Sequence, residues 1–277
     1  MKMMGFGLNS WTTGDAVDVL TDVRVASEAG YRFIELRDWK IERYLAQGSE
    51  LGVLRDRVEQ SDLRVLSVNT LDDSTLQTGA GFDRVVARCH TLCAWAEALG
   101  SPYVIVGPSY LPEGGGVSAE AIHENTVTAL VRYVEVAAEH GVRIAFEFHG
   151  YSRCSINKLA AATAVLDEIG DARVGLVIDA FHFYVGGSSF RNLEELDHSR
   201  LFIVHLADAE HNDRTRLGKP NRVFPGDGVL PLKDLVRSIR RTQFEGPYSL
   251  ELFRPEYWAM DPLVVARRGL QSMKRFV

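Results

Sequence analysis

The sequence is poor in the features that mark secreted, membrane-spanning or disulfide-bonded proteins. It has only 3 cysteines in 277 residues, too few for a disulfide framework, which suits a reducing cytoplasm. Cys89 and Cys93 lie one helical turn apart on an apolar face, and this spacing predicts buried thiols rather than metal ligands. No apolar run reaches about 18 residues, and the first residues lack the apolar core of a signal peptide. We therefore expect a cytoplasmic protein without a membrane segment.

An excess of positive charge is also absent. The chain has 31 Lys and Arg against 37 Asp and Glu, a formal net charge of -6. An extended track for nucleic-acid phosphates needs clustered basic residues, so nucleic acid is not an expected partner. A small polar substrate suits this charge better.

The chain repeats one pattern, in which a helical segment ends at a glycine and an apolar strand follows. Glycine just past a helix end supplies the left-handed conformation that stops the helix. The glycines in question are Gly30, Gly100, Gly141, Gly170 and Gly246. About eight strands alternate with helices, which predicts a closed (β/α)₈ TIM barrel of one domain over residues 1–277. An open doubly wound sheet is the alternative, but the first strand is not followed by the G-x-G-x-x-G turn typical of that fold.

Four polar residues stand at the ends of the fifth to eighth predicted strands. They are Glu147, Asp179, His205 and Glu251. Strand carboxyl ends surround one mouth of a barrel, so these side chains should converge there. Three carboxylates and an imidazole in one small volume favour a bound divalent cation, Mn²⁺, Mg²⁺ or Co²⁺, with Zn²⁺ tolerated. The alternative is four separate helix caps or salt bridges.

Several longer stretches carry a resemblance to a known family. They are FIELRDWKIERYL, IAFEFHGYSRCSIN, VGLVIDAFHFYVGGS, RVFPGDG and SLELFRPEYW. With them, the chain resembles the xylose isomerase-like TIM barrel superfamily of sugar isomerases and epimerases, and more closely the inosose (2-keto-myo-inositol) isomerases.

This resemblance implies one metal ion held by the four strand-end residues, with Glu147 and Glu251 also acting as the acid/base pair. It further implies that His182 and Arg222 contact substrate oxygens. Glu35 and Asn69 end the second and third strands and are predicted as substrate-binding walls, with loop caps as the alternative. Asp208 is expected to orient His205, because metal-bound histidines usually have such a partner.

The implied activity is a metal-dependent isomerase that moves a ketone to the adjacent carbon of a cyclic polyol through an enediol. A ketose 3-epimerase is an alternative, as is a dehydratase or lyase acting on inosose or a cyclic keto acid, because these reactions share the first proton abstraction. A catalytically idle barrel is disfavoured by the acidic set. DNA-repair endonucleases of the superfamily use a D-R-H triplet, replaced here by Asn221, Arg222 and Val223, so two of their ligands are missing.

Two further expectations concern the surroundings of the mouth. The glycines Gly114–Gly116 indicate a flexible loop over it, which is typical of a lid. Homo-oligomers are common among the relatives, so a homo-oligomer is an open alternative to a monomer.

Overall fold

The computed structural model describes residues 5–114 and 116–277 and shows a closed barrel of 8 parallel strands. Gly115, in the segment predicted as a lid, lies outside the described residues. The barrel strands are β1 (Gly5–Asn9), β2 (Phe33–Arg37), β3 (Arg64–Leu71), β4 (Tyr103–Val106), β5 (Arg143–Glu147), β6 (Val174–Asp179), β7 (Leu201–Leu206) and β10 (Pro247–Leu250). Strands β1 and β10 pair and close the ring, so the predicted (β/α)₈ fold is confirmed.

Helices surround the barrel and cover the outer faces of its strands. They are α1 (Val19–Ala29), α2 (Asp38–Ala46), α3 (Leu51–Gln60), α4 (Gly79–Ala98), α5 (Ala119–Glu139), α6 (Leu159–Ile169), α7 (Ala180–Val185), α8 (Phe190–Glu194), α9 (Leu232–Arg241), α10 (Pro255–Trp258) and α11 (Pro262–Met273). In the described part of the chain, no helix combines the length and the apolar character that crossing a membrane requires. Cys89 and Cys93 are buried on α4 as free thiols, as their spacing predicts.

The glycines that precede strands do not all serve the same purpose. Gly30 and Gly170 have φ of 89° and 65° and accept the left-handed conformation that ends α1 and α6. Gly246 is different, because a Cβ there would lie 2.3 Å from the ring of Phe244. This glycine is needed for space beside an aromatic ring, and its φ is not in the left-handed region.

The lower half of the barrel interior is filled by apolar side chains. This buried cluster contains Phe33, Leu66, Tyr103, Ile105, Ala145, Val177, Phe202 and Ile203. The rings of Tyr103 and Phe202 stack with centroids 4.9 Å apart, and the guanidinium of Arg143 lies over both. The interior is therefore a packed core at this end, whereas the four polar residues predicted at the mouth lie at the carboxyl ends of their strands.

A small antiparallel sheet follows β7 and shapes the mouth. Its strands are β8 (Asp208–Ala209) and β9 (Arg222–Val223), with Ala209 opposite Arg222. Because β9 returns the chain beside the end of β7, it brings Arg222 back over the barrel, where its side chain is 1% exposed.

Candidate active site

The four strand-end residues meet at the carboxyl end of the barrel. Glu147 and Asp179 are the last residues of β5 and β6, His205 lies on β7, and Glu251 directly follows β10. Each offers a ligand atom, and these atoms all lie within 4.8 Å of one another. All four residues are buried. The structure thus brings together the set predicted from sequence, although the role of each residue stays a prediction.

The imidazole of His205 is the centre of this cluster. Its Nδ1 lies 3.0 Å from Glu147 Oε1, 3.5 Å from Glu251 Oε2 and 4.0 Å from Asp179 Oδ2. Burial alone would lower the pKa of His205, but the surrounding carboxylates raise it well above its usual value. The cluster therefore attracts positive charge strongly.

The carboxylates respond to the same surroundings in opposite ways. Burial raises the pKa of Glu147, but the charges of His205 and His149 outweigh burial and hold it well below its usual range. For Asp179, burial raises the pKa more than the charge of Arg222 lowers it, so the pKa lies above its usual value. The two acids thus differ in how readily they take up a proton.

The donor set fits a divalent cation. Three carboxylates and one imidazole nitrogen converge without a cysteine among them, which is the oxygen-rich mixture that Mn²⁺, Co²⁺ and Zn²⁺ accept. A cation would also neutralise three buried acids that otherwise repel one another. The alternative of four separate helix caps or salt bridges does not account for this convergence of the four groups in one small volume.

Asp179 has a second task besides facing the cluster. Its Oδ1 accepts a hydrogen bond from the backbone N–H of His182 at 2.7 Å and so caps α7. Its Oδ2 lies 2.5 Å from Arg222 Nη1. One carboxylate therefore fixes both the helix that carries His182 and the guanidinium of Arg222.

Arg222 and His182, the two predicted substrate contacts, lie side by side. Arg222 Nη2 donates to His182 Nε2 at 3.2 Å, and the guanidinium lies 4.6 Å from the ring of Phe181 and 5.0 Å from that of Phe253. Burial, followed by the charges of His149 and Arg222, holds the pKa of His182 well below its usual value, so its ring is neutral. Since arginine only donates, Nε2 must accept, and the single ring proton is on Nδ1.

Glu35 and Asn69, predicted as substrate-binding walls, lie deeper than expected. Glu35 is 0% and Asn69 1% exposed. Glu35 faces His205 Nε2, and Ser67 donates to Glu35 Oε2 at 2.7 Å. The same hydroxyl group also lies against the Oδ1 of Asn69. The structure places both residues in a polar network beside and beneath the cluster, not along an open wall.

The expectation that Asp208 orients His205 is wrong. Its carboxylate accepts hydrogen bonds from the backbone N–H groups of Ala209, Gly226 and Leu230, at 2.9, 3.0 and 2.8 Å. Asp208 therefore fixes the loop between β9 and α9, and these hydrogen bonds direct its carboxylate to the main chain. The residue that does face His205 Nε2 is Glu35.

Two residues close to the cluster were absent from the predicted set. Asn9, the last residue of β1, donates through Nδ2 to Glu251 Oε1 at 3.0 Å. Its position at a strand end is the same signal that indicated Asn69, so sequence could have found it. The ring of His149 packs at a tilt against that of His182 with centroids 4.8 Å apart, and its Nε2 lies 3.8 Å from Glu147 Oε2. Burial acts to lower the pKa of His149, but its hydrogen bonds to Cys154 and Glu147, with the charges of Glu147 and Asp72, raise it to about 10.

Aromatic side chains form one rim of the mouth. Trp11 stacks on Trp258 with centroids 6.2 Å apart, and Trp258 Nε1 donates to the backbone oxygen of Trp11. Phe253 lies 5.0 Å from Trp11. Tyr257 instead stacks on Phe224 and contributes to packing.

Comparison with known proteins agrees with this fold and site. The family model of the xylose isomerase-like TIM barrel matches residues 23–276, and the chain belongs to this family. An inosose isomerase of Halalkalibacterium halodurans is 30% identical over 254 residues, 91% of this chain and 89% of the relative. The inosose isomerase of Bacillus subtilis is 28% identical, covering 96% of this chain and 94% of the relative.

A solved structure shows the same likeness in three dimensions. The crystal structure of the IOLI protein with a binding zinc atom superposes with a TM-score of 0.95 at 26% identity, covering 99% of this chain and 98% of that one. Together with the curated relatives, it confirms the predicted family and the prediction that this enzyme is an isomerase.

Proposed function

We propose that this protein is a metal-dependent isomerase that moves the ketone of an inosose, a cyclic polyol ketone, to the adjacent carbon. The observation that carries the proposal is the convergence of Glu147, Asp179, His205 and Glu251 within 4.8 Å at the mouth of the barrel. The similarity to inosose isomerases over about nine-tenths of the chain supports the substrate class.

A divalent cation held by these four residues would supply Lewis-acid polarisation of the neighbouring substrate oxygens. The remaining chemistry belongs to the protein's own side chains. Glu147 and Glu251 come from β5 and from the end of β10, with β6 and β7 between them in the ring. Two carboxyl groups that approach one substrate from separate strands can act as a base and an acid on neighbouring carbons.

The proposed reaction moves protons without any oxidant or reductant. One glutamate takes the proton from the carbon that bears a hydroxyl group beside the ketone, the C–H electron pair forms the C=C bond of an enediolate, and the carbonyl π pair moves onto the carbonyl oxygen. This oxygen takes up the proton of the neighbouring hydroxyl group, whose oxygen becomes the new carbonyl as the C=C pair takes a proton from the second glutamate at the other carbon. Proton exchange with solvent then restores both glutamates.

His182 and Arg222 would hold the substrate oxygens in this sequence. The Nδ1 of His182 is buried and has no hydrogen-bond partner among the described residues. Because Arg222 fixes the proton on this nitrogen, His182 is a neutral donor that a carbonyl oxygen can use. Such a donor polarises the carbonyl.

The test follows hydrogen exchange on the ring carbons of inosose. We would incubate the metal-loaded enzyme with inosose and a small ketose panel in D₂O and record NMR spectra. Deuterium incorporation with migration of the ketone supports the proposal. Loss of water would identify a dehydratase, and inversion at one carbon with an unmoved ketone would identify an epimerase.

A matched pair of variants ties the activity to the site. Glu251→Gln should lower turnover by about 10²–10⁴-fold, the usual contribution of a positioned acid or base. Glu135→Gln makes the same chemical change on the exposed face of α5, where Glu135 pairs with Arg132, and should keep wild-type turnover. Normal exchange in Glu251→Gln would contradict the role assigned to this residue.

A further inference from the structure

Glu35 lies beneath His205 with no exposed surface. It occupies the middle of β2, beside Asn9 of β1 and Ser67 of β3 in the register of the barrel. Its carboxylate oxygens are 3.1 and 3.2 Å from His205 Nε2. Ser67 donates a hydrogen bond to Oε2 at 2.7 Å, which holds the carboxylate in this orientation.

The two nitrogens of His205 face different partners. Nδ1 faces the carboxylates of Glu147, Glu251 and Asp179, which belong to the candidate metal cluster. Nε2 faces Glu35 alone among the described carboxylates. The imidazole ring therefore stands between Glu35 and the cluster.

This arrangement excludes two other roles for Glu35. The ring of His205 stands between the Glu35 carboxylate and the cluster, because Nε2 faces Glu35 and Nδ1 faces Glu147, so the carboxylate is screened from a substrate bound at the cluster. It is also absent from the group of mutually close ligand atoms, which contains Glu147, Asp179, His205 and Glu251. What remains for a buried carboxylate at this distance is the hydrogen bond to the histidine.

We infer that Glu35 is a positioning residue that accepts the Nε2–H of His205 and so keeps the Nδ1 lone pair directed at the metal ion. A neutral imidazole has one proton, and the bond made by one nitrogen determines which nitrogen is left to bind a cation. The inference rests on the metal site of the proposed function. It does not depend on which substrate the enzyme converts.

The experiment measures Zn²⁺ affinity without substrate, by competition with a chelator at fixed pH. Glu35→Gln keeps the shape of the side chain and a neutral oxygen that can accept from His205, whereas Glu35→Leu fills similar space without any acceptor. Loss of such a partner typically weakens metal binding about 10–100-fold. We expect about tenfold weaker binding for Glu35→Gln and about 100-fold for Glu35→Leu. Glu135→Gln should bind Zn²⁺ as the wild type does.

A second readout separates positioning from packing. In Zn²⁺-loaded wild type containing ¹⁵N-histidine, the ring of His205 should carry its proton on Nε2, and this proton should exchange slowly with water. In Glu35→Leu the same proton should exchange fast. Glu35→Gln should be intermediate, because its amide oxygen partly restores the acceptor. If Glu35→Leu does not fold, the comparison of wild type with Glu35→Gln still decides the question.

The outcomes distinguish this inference from the proposed function. Equal Zn²⁺ affinity in wild type, Glu35→Gln and any folded Glu35→Leu would overturn the role of Glu35 and leave the metal site intact. A wild-type protein that binds no Zn²⁺ would overturn the metal site and this inference with it. A graded loss of affinity in an enzyme inactive on inosose would support the inference while contradicting the proposed substrate.

Discussion

Replacing Lys40 by methionine should lower the free energy of unfolding by about 3–5 kcal/mol, the usual cost of leaving one partner of a buried ion pair alone. Lys40 lies on α2 and Asp22 on α1, with 1% and 0% of their surfaces exposed. Lys40 Nζ donates to Asp22 Oδ2 at 2.7 Å, to the backbone oxygen of Ser10 at 2.9 Å and to Thr13 Oγ1 at 3.1 Å. All three ammonium protons therefore have acceptors.

The magnitude follows from what the substitution leaves behind. Methionine fills much of the space of the lysine stem, so little of the cost is a cavity. The carboxylate of Asp22 keeps only the hydroxyl of Thr13, which lies 2.5 Å from Oδ1, and stays buried without a counter-charge. Adding Asp22→Asn removes that charge, so the double variant should recover at least about 2 kcal/mol relative to Lys40→Met alone.

The contribution of Asp22 to the free energy of unfolding changes with pH in a defined direction. Burial raises the pKa of Asp22 to about 7, although Lys40 acts to lower it. The folded protein thus binds this proton more tightly than the unfolded chain, and the contribution of Asp22 to stability falls as the pH rises from about 4 to about 7. Without Lys40 the pKa rises further, so the Lys40→Met variant should continue to lose stability above pH 7.

Chemical denaturation of the wild type, both single variants and the double variant at about pH 5 and pH 8 measures these differences. Lys40→Met should cost less at the lower pH, where Asp22 is protonated. The reasoning is refuted if Lys40→Met costs under about 1 kcal/mol at pH 8, or if the double variant is no more stable than Lys40→Met.

Three further predictions concern the site. Removing metal with a chelator should lower the thermal midpoint, and a cation at 100 times its dissociation constant should add about 2.7 kcal/mol of stability, measured by thermal unfolding. Arg222→Lys should keep the charge beside Asp179 but lose the bond to His182, so KM should rise while the metal affinity stays within about threefold; an unchanged KM would contradict it. Gly150→Ala should destabilise by about 1–3 kcal/mol or more, because the added Cβ would lie 2.3 Å from the backbone oxygen of His182; urea titration checks this, and a neutral result would show that the loop can move.

The barrel was predictable because its signals are local and repeated. Strands such as β6 are apolar on both faces and end at a polar residue, and the glycines after α1 and α6 have the conformation that their position predicts. The short strands β8 and β9 were not predicted. A strand of two residues is too short to show an alternation of apolar and polar side chains. The position of β8 and β9 also goes with the hydrogen bonds from backbone N–H groups to Asp208, which no local sequence pattern reveals.

The four converging residues were predictable for the same reason, because each follows an apolar strand. How deep each polar side chain lies within the barrel was not predictable. Whether a strand residue faces the mouth or lies beneath it depends on the stagger of neighbouring strands, which is a property of the closed barrel. Glu35 and Asn69 were therefore expected at the wall, whereas the pairing of β2 with β3 places Glu35 opposite Ser67, which also contacts Asn69 on its own strand.

The carboxylate of Asp208 has a consequence for ligand recognition. Three backbone amides bind it, and the strand that carries Arg222 pairs directly with the strand that begins at Asp208. The backbone of Arg222 is consequently held by this pairing and its guanidinium by Asp179, so the proposed contact with substrate would cost little conformational entropy. An Asp208→Ala protein would form the same contacts with its ligand only after ordering this loop, so its association would become slower without any change in the groups that touch the ligand.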